Sequence, residues 1–331
     1  MRKIIVLGAL GHLGVYTVDY LTEKLDGQKY EIVATGRRDS SFFDSRNVKY
    51  VRLDITKKSD FDKLPKTDVY AVVHLAGALP AYLRKDDPEQ YFRVNTIGML
   101  NVLEYCRAVG VNRIVYAHSW ADQMGYLPEK EVLSPALPRN PIFTGDHAIY
   151  SISKCAAVDL AEHYHQEYGI SNFILRCPNI YMYHPNAEYV KDGVLQTSPY
   201  RRLIAQACAG DDIEVWGDPQ SGKDFPYVKD FCQLLYKALL SNRDGGTYNV
   251  GTGVKTSLAD QVKMIIDVFC DPKKKSNIVY RPEMPNGFDY VMDISAARRE
   301  LGYEPEFGFR EYLEDFKAEM KSDRFAGIDG L

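Results

Sequence analysis

The first half of the chain alternates short apolar runs with stretches whose apolar residues recur every three or four positions. Ile4 to Leu7 is apolar and β-branched, as a buried strand is. Leu13, Thr17, Leu21 and Leu25 follow at helical spacing. Ile32 to Thr35 reads as a second strand, Val48 to Leu53 as a third and Val69 to Leu75 as a fourth. The segment from Pro88 to Val109 reads as helix closed by Gly110, and Arg113 to Ala117 as a fifth strand. A Pro-rich loop from Leu127 to Pro141 precedes a helix from His147 to Tyr168, closed by Gly169, and Phe173 to Leu175 reads as a sixth strand. This rhythm predicts an α/β fold of the Rossmann type, a doubly wound parallel sheet with helices on both faces. The pattern loosens beyond Tyr181. We therefore expect a dinucleotide-binding domain over 1–180, with a returning segment near 225–253 that includes a strand at Tyr248 to Val250. A smaller C-terminal α/β substrate lobe over 181–331 completes the expected organisation.

Composition narrows the class. The chain has 331 residues, 45% hydrophobic and 26% charged, with a net charge of −4, values typical of an ordinary globular protein. No basic track suggests nucleic acid, and no run approaches the roughly 18–20 apolar residues of a membrane span. The six cysteines are scattered without a C-x-x-C pair, which predicts reduced thiols and a cytoplasmic protein. His163 and His165, two apart on a helix, splay, so no metal site is expected.

Candidate chemistry begins at the first turn. Gly8, Gly11 and Gly14 stand directly after a strand and open a helix, where glycines let backbone approach a pyrophosphate at the helix N-terminus. His12 and Leu13 lie inside that turn. Asp54, followed by Ile55, is placed to accept a hydrogen bond from an adenine amino group, or equally to cap the turn at Thr56. The second strand ends in Gly36, Arg37 and Arg38 with no acidic residue, so a guanidinium is available for a 2′-phosphate and NADP is favoured over NAD. Tyr150 and Lys154 form Y-x-x-x-K on a predicted helix, phenol and ammonium on one face. Ser119, just past the fifth strand, can hydrogen-bond the reacting oxygen. A tyrosine tuned by a lysine and a nicotinamide can take or give a proton while hydride moves at the adjacent carbon.

In this order the motifs resemble the extended short-chain dehydrogenase/reductases, the NAD-dependent epimerase/dehydratase family, over nearly the whole chain. The glycine turn, His74-Leu75-Ala76-Gly77, Asn95, the Ser119, Tyr150 and Lys154 set and Leu175-Arg176-Cys177-Pro178-Asn179-Ile180-Tyr181 all carry the likeness. The resemblance implies that Ser119, Tyr150 and Lys154 are catalytic. It places Leu75, Ala76, Gly77 and Pro178 against the cofactor and makes Asn95 a support for the active-site lysine. It also makes Asn179, Lys223 and Arg281 ligands of a nucleotide-sugar diphosphate. The implied activity moves hydride at C4 of the sugar, as a 4-epimerase or a 4-keto-sugar reductase. The 4,6-dehydratases carry two carboxylates directly after the catalytic hydroxyl, whereas Trp120 and Ala121 follow Ser119, which argues against a dehydratase. Trp120 is expected beside the reacting centre, narrowing substrate choice, and His118 has no assigned role. The alternatives are a reductase of a carbonyl compound without a nucleotide handle and a non-catalytic NADP sensor. Many relatives pair two helices, here around Glu89 to Ala108 and Ala148 to Tyr168, into a homodimer; here those apolar faces could equally pack on the sheet.

Overall fold

The computed structural model describes residues 1–83, 87–127, 129–191 and 193–328; Pro128 of the predicted Pro-rich loop lies outside them. Seven parallel strands form the central sheet: β1 (Arg2–Leu7), β2 (Tyr30–Gly36), β3 (Lys49–Arg52), β4 (Val69–His74), β5 (Arg113–Ser119), β6 (Ser171–Cys177) and β7 (Gly245–Asn249). Their order is β7-β6-β5-β4-β1-β2-β3. Successive side chains on a strand point to opposite faces, so β1 divides its apolar residues between two cores. Ile4 and Val6 join Ala34, Val73, Val115 and Phe173 on one face. That face is covered by α1 (His12–Lys24), through Val15, Val18 and Leu21. Ile5 and Leu7 join Val33, Val72, Ile114 and Ile174 on the other. There α2 (Gly98–Val109) contributes Met99, Val102 and Leu103, and α3 (Ala148–Tyr168) contributes Ala157 and Ala161. Burial on both faces explains why these strands read as continuous apolar runs.

The chain after β6 builds a second layer of pieces. It includes a hairpin (Glu188–Lys191 with Val194–Thr197), a helix at Pro199–Ala209 and a parallel pair, Ile213–Trp216 with Ile278–Arg281. Between these, α4 (Val228–Leu240) packs against α1 and leads into β7, so the returning segment does rejoin the main sheet. No break in burial divides the two parts: one cluster runs from Ile4 through Phe231 to Phe316.

Three local differences from the sequence reading have clear causes. The helical stretch from Pro88 is not uniform: an α-turn (Pro88–Tyr91) passes into a π-helical turn (Phe92–Ile97) before α2. The π-turn holds Asn95, whose side chain bonds backbone outside the helix. β6 extends beyond its apolar core to Ser171 and Cys177, because Ser171 and Arg176 find partners within the protein. The Pro-rich loop contains a two-residue strand, Val132–Leu133, parallel to Val291–Met292.

Candidate active site

The strand order reverses between β1 and β4, and in doubly wound sheets the crevice at that point, beyond the carboxyl ends of the strands, is where ligands bind. The glycine turn occupies it. Gly8 has φ +83°, and a Cβ there would lie 2.8 Å from the Ala76 nitrogen, so the Leu75–Gly77 segment presses directly on the turn. A Cβ on Gly14 would lie 2.2 Å from the Gly8 carbonyl oxygen. Gly11 caps α1 without a side-chain hydrogen bond. The first N–H groups of α1, from His12, Leu13 and Gly14, therefore meet the crevice with no capping side chain, a donor set and dipole suited to a pyrophosphate. These residues fit the nicotinamide dinucleotide that the turn implies. His12 is also held from two sides: its Nδ1 lies 2.8 Å from the Tyr82 hydroxyl, and its ring stands 3.5 Å from that of His184.

At the adenosine end, Gly36 closes β2. A Cβ there would lie 2.7 Å from the Tyr50 hydroxyl, so a side chain at this position would have to displace the ends of Tyr50 and Leu10. Arg37 and Arg38 follow, both exposed. Asp54 makes the turn foreseen as its alternative role: its Oδ1 accepts from the Thr56 N–H at 3.0 Å and the Thr56 hydroxyl at 2.8 Å. Ile55 behind it is buried against Gly98.

The proposed catalytic side chains do come together. Tyr150 and Lys154 lie one turn apart on α3, both buried, and Tyr150 packs against Ala121, two residues past Ser119. Ser119 Oγ also accepts from the Ala121 N–H at 3.2 Å. Lys154 Nζ donates to the Ala117 carbonyl at 2.7 Å and sits 4.2 Å over the Tyr116 ring. Burial pushes the Tyr150 phenol up, and the nearby Ser119 hydroxyl pulls the other way. Burial lowers the Lys154 ammonium from 10.5 to about 7. Cys177, beside both, is pushed by burial to about 12 and so stays a thiol.

A lysine with a lowered native pKa binds fewer protons folded than unfolded, so its burial is most destabilising below about pH 7 and the penalty fades as pH rises toward 10.5. Lys154→Met is accordingly expected to raise the melting temperature of the cofactor-free protein at neutral pH while abolishing turnover. Thermal melts from neutral to alkaline pH check this, with the gain shrinking as pH rises.

Asn95 does not reach the Lys154 side chain, as the resemblance implied; it works one residue away. Its Oδ1 accepts from the Ala78 N–H at 2.8 Å, and its Nδ2 donates to the Ala78 carbonyl at 3.1 Å and to Ser153 Oγ at 3.0 Å. The Ser153 hydroxyl in turn donates to the Tyr150 carbonyl at 2.7 Å. The π-turn thus ties the Leu75–Ala78 segment to α3, the helix that carries Tyr150 and Lys154.

Sequence reasoning missed a buried ionic network directly behind Ser119. Asp122 is 1% exposed and accepts two short bonds from Arg176, Nε to Oδ1 and Nη2 to Oδ2, each 2.9 Å. His118 Nε2 lies 3.1 Å from Asp122 Oδ2. Burial opposes the carboxylate charge, but His118 and Arg176 outweigh it and hold Asp122 below its ordinary range. Burial lowers the His118 imidazole, against the pull of Asp122. Arg176 Nη1 reaches the Pro135 carbonyl and Asn249 Oδ1, each at 3.4 Å, so the network spans β5, β6, β7 and the loop beyond β5. The available signal was a carboxylate three residues after Ser119 together with the arginine of the L-R-x-x-N-x-Y segment. Trp120 turns out to be packed with Leu133, Tyr290 and Met292, its ring 4.2 Å from that of Tyr290, which joins the C-terminal part to β5.

The expected diphosphate ligands are more dispersed. Pro178 is buried and Asn179 is exposed at the carboxyl end of β6. Lys223 Nζ lies 5.3 Å over the Phe225 ring and 5.8 Å over that of Tyr181. Arg281 ends a different strand pair, and its Nε is bound by Glu214 Oε1 at 3.0 Å. Among the described residues no group of three or more His, Cys, Asp or Glu side chains is placed to hold a metal ion, and no helix is long and apolar enough to cross a membrane.

Known proteins share this architecture. The chain is 28% identical to a putative UDP-glucose 4-epimerase of Methanocaldococcus jannaschii, across 97% of this chain and 99% of that protein. It is 27% identical to UDP-glucuronic acid decarboxylase 1 of Arabidopsis thaliana, across 97% of this chain and 70% of that protein. In three dimensions it superposes on UDP-glucose 4-epimerase of Thermotoga maritima, solved with UDP-glucose, with a TM-score of 0.77, 20% identity and coverage of 97% and 100% of the two chains. It superposes likewise on UDP-glucuronic acid 4-epimerase of Bacillus cereus, solved with NAD, with a TM-score of 0.73, 22% identity and coverage of 99% of each chain. The family model for the NAD dependent epimerase/dehydratase family matches residues 4–251, from the first strand of the sheet to just past the last. The chain therefore belongs to the NAD dependent epimerase/dehydratase family.

Proposed function

We propose that the protein is a nucleotide-sugar 4-epimerase, moving hydride away from C4 of the sugar and returning it to the opposite face. The observation that carries this reading is the convergence of buried Tyr150 and Lys154, one turn apart on α3, on the end of β5 that carries Ser119, with the glycine cradle at the head of the same sheet. A bound nicotinamide dinucleotide would supply the hydride acceptor. Ser119 holds the C4 oxygen and Tyr150 takes its proton. The Lys154 ammonium, one helical turn away, favours the phenolate that does so. Asn179, Lys223 and Arg281 are the proposed ligands of the substrate diphosphate, Lys223 as a point charge and Arg281 after exchanging its bond to Glu214. A relative named as a putative UDP-glucose 4-epimerase and a solved UDP-glucose 4-epimerase of the same fold, each aligned along nearly the whole chain, support this reading.

Dehydration is disfavoured on chemical grounds. Elimination needs a free carboxyl next to the sugar, and the carboxylate nearest in sequence to Ser119, Asp122, is buried and gripped by Arg176. Reduction of a 4-keto sugar is the second reading. It is favoured by Arg37 and Arg38 at the end of β2, where a 2′-phosphate would mark an exchangeable NADPH.

Incubating the purified protein with nucleotide sugars, without added reductant, separates the two. An epimerase interconverts C4 epimers using retained dinucleotide. A reductase acts only on a 4-keto sugar with reduced cofactor added. In the same protein, the Arg37→Ala, Arg38→Ala double variant is expected to weaken NADP binding by roughly ten- to a hundredfold, the size of one or two lost charge-assisted bonds, and NAD binding far less. Fluorescence titration checks this, and equal losses for both dinucleotides would remove the case for NADP.

A further inference from the structure

Two stacked imidazoles at the glycine turn take no part in the chemistry at C4. His12 is the first residue of α1, where the pyrophosphate is expected, and its ring stands 3.5 Å from that of His184. His184 comes from the chain beyond β6, is 3% exposed, and meets the Phe325 ring edge-on at 4.7 Å. Its two nitrogens differ in their surroundings. Nδ1 faces both the Asn186 N–H, at 3.2 Å, and the Asn186 carbonyl, at 3.3 Å. In the neutral ring Nδ1 accepts from that N–H, which puts the ring proton on Nε2. Nε2 is buried and has no hydrogen-bond partner among the described residues. A buried N–H without an acceptor is costly, and one in a ring stacked on the first residue of α1 points to a phosphate oxygen as the missing partner.

We propose that His184 is a proton-linked ligand of the cofactor diphosphate: it takes up one proton as the dinucleotide binds and returns it on release. The proton passes from solvent to Nδ1, while Nε2–H donates to the diphosphate in both states. Uptake needs no rearrangement, because the Asn186 carbonyl already stands where the new Nδ1–H would donate. The surroundings set the direction. Burial lowers His184 from 6.5 to about 4 and His12 from 6.5 to about 3. Arg201, whose Nη1 donates to the His184 carbonyl at 2.7 Å, also disfavours a charged ring, as does the positive end of the α1 dipole. Tyr82, 2.8 Å from His12 Nδ1, is pushed by burial to about 12 and stays neutral. Beside Phe325, the carboxylates of Asp19 and Glu319 are engaged by Arg324. The diphosphate is therefore the anion that tips the balance and raises the imidazole next to it. His12 stays neutral, because two charged rings 3.5 Å apart repel. This binding event is separate from the chemistry at C4 and does not depend on it.

The test is calorimetric titration of the full chain with NAD, after any retained dinucleotide has been removed. NAD is the probe because its diphosphate keeps its charge across this range, whereas the 2′-phosphate of NADP titrates near pH ~6. Runs in two buffers of different ionisation enthalpy give the number of protons taken up. We expect uptake approaching one proton, and NAD bound about tenfold more tightly near pH ~5.5 than near pH ~7.5, as a His184 pKa restored to its ordinary range requires. His184→Gln keeps a donor but cannot take a proton, so its uptake should vanish and its Kd should be flat with pH. His12→Phe keeps a ring against His184 and should keep the uptake. Should His184→Gln fail to fold, His184→Phe, which preserves the ring contacts with His12 and Phe325, is read the same way, with NAD about tenfold weaker from the lost donor. A heat of binding independent of buffer, uptake that survives without His184, or uptake lost in His12→Phe would overturn the assignment. So would a failure of NAD to bind at any pH.

Discussion

Tyr150→Phe is expected to lower kcat by about a hundred- to ten-thousandfold, the usual worth of one positioned acid–base group. The loss should fall on chemistry and not on the fold. The ring sits in a small cluster with Ala78, Tyr91 and Ala121, in edge-on contact with Tyr91 and His147 at 6.1 Å, and phenylalanine keeps all of those contacts. What disappears is the phenolic hydroxyl alone, and Ser119 Oγ keeps the Ala121 N–H as a partner. Melting temperature and substrate affinity should therefore change little while turnover collapses. Steady-state kinetics with a melting curve on the same sample checks both halves. A parallel loss of stability would mean that the phenol is structural.

The second large effect is on stability. Arg176→Met is expected to cost about 3–5 kcal/mol, because it leaves a buried carboxylate without the guanidinium that neutralises it. Asp122 is 1% exposed, and burial, which lowers His118, works against the imidazole replacing the charge. Replacing both members, as Asp122→Leu with Arg176→Met, should restore much of the loss, since the cost comes from the stranded charge. The pH dependence follows from the lowered Asp122 pKa. A carboxylate with a lowered native pKa contributes stability that is complete above its ordinary value of 3.8 and is lost as pH falls through the lower native value. The wild-type advantage over Arg176→Met should thus be full at neutral pH and shrink in acid. Urea unfolding at several pH values measures it, as a shift in midpoint with little change in slope.

How far the fold could be read from sequence depended on what each residue needed to be buried. The apolar runs Ile4–Leu7 and Val69–Leu75 announced β1 and β4 almost to the residue, because burial on both faces demands continuous hydrophobicity. β6 was read too short because Ser171, Asn172 and Arg176 are polar. They enter the sheet only through specific partners such as Asp244 and Asp122, which lie 73 and 54 positions away. The π-turn was illegible for a similar reason: Asn95 bonds Ala78 and Ser153, and helical periodicity carries no trace of either.

The site divides in the same way. Tyr150 with Lys154 and the Gly8–Gly14 turn were legible because local spacing sets their geometry. The ion pair of Arg281 with Glu214 was not, since Glu214 is brought alongside only when the two strands pair. Trp120 was expected at the reacting centre from its neighbour Ser119. Adjacent residues need not face the same way, and its ring lies against Tyr290.

The most direct test is the fate of the hydrogen on C4. A nucleotide hexose carrying deuterium at C4 should turn over several-fold more slowly than the unlabelled sugar. Its C4 epimer should keep the deuterium with none lost to water, and Tyr150→Phe should all but abolish the conversion. Loss of the label to solvent, or conversion by Tyr150→Phe at the wild-type rate, would contradict hydride transfer governed by this phenol.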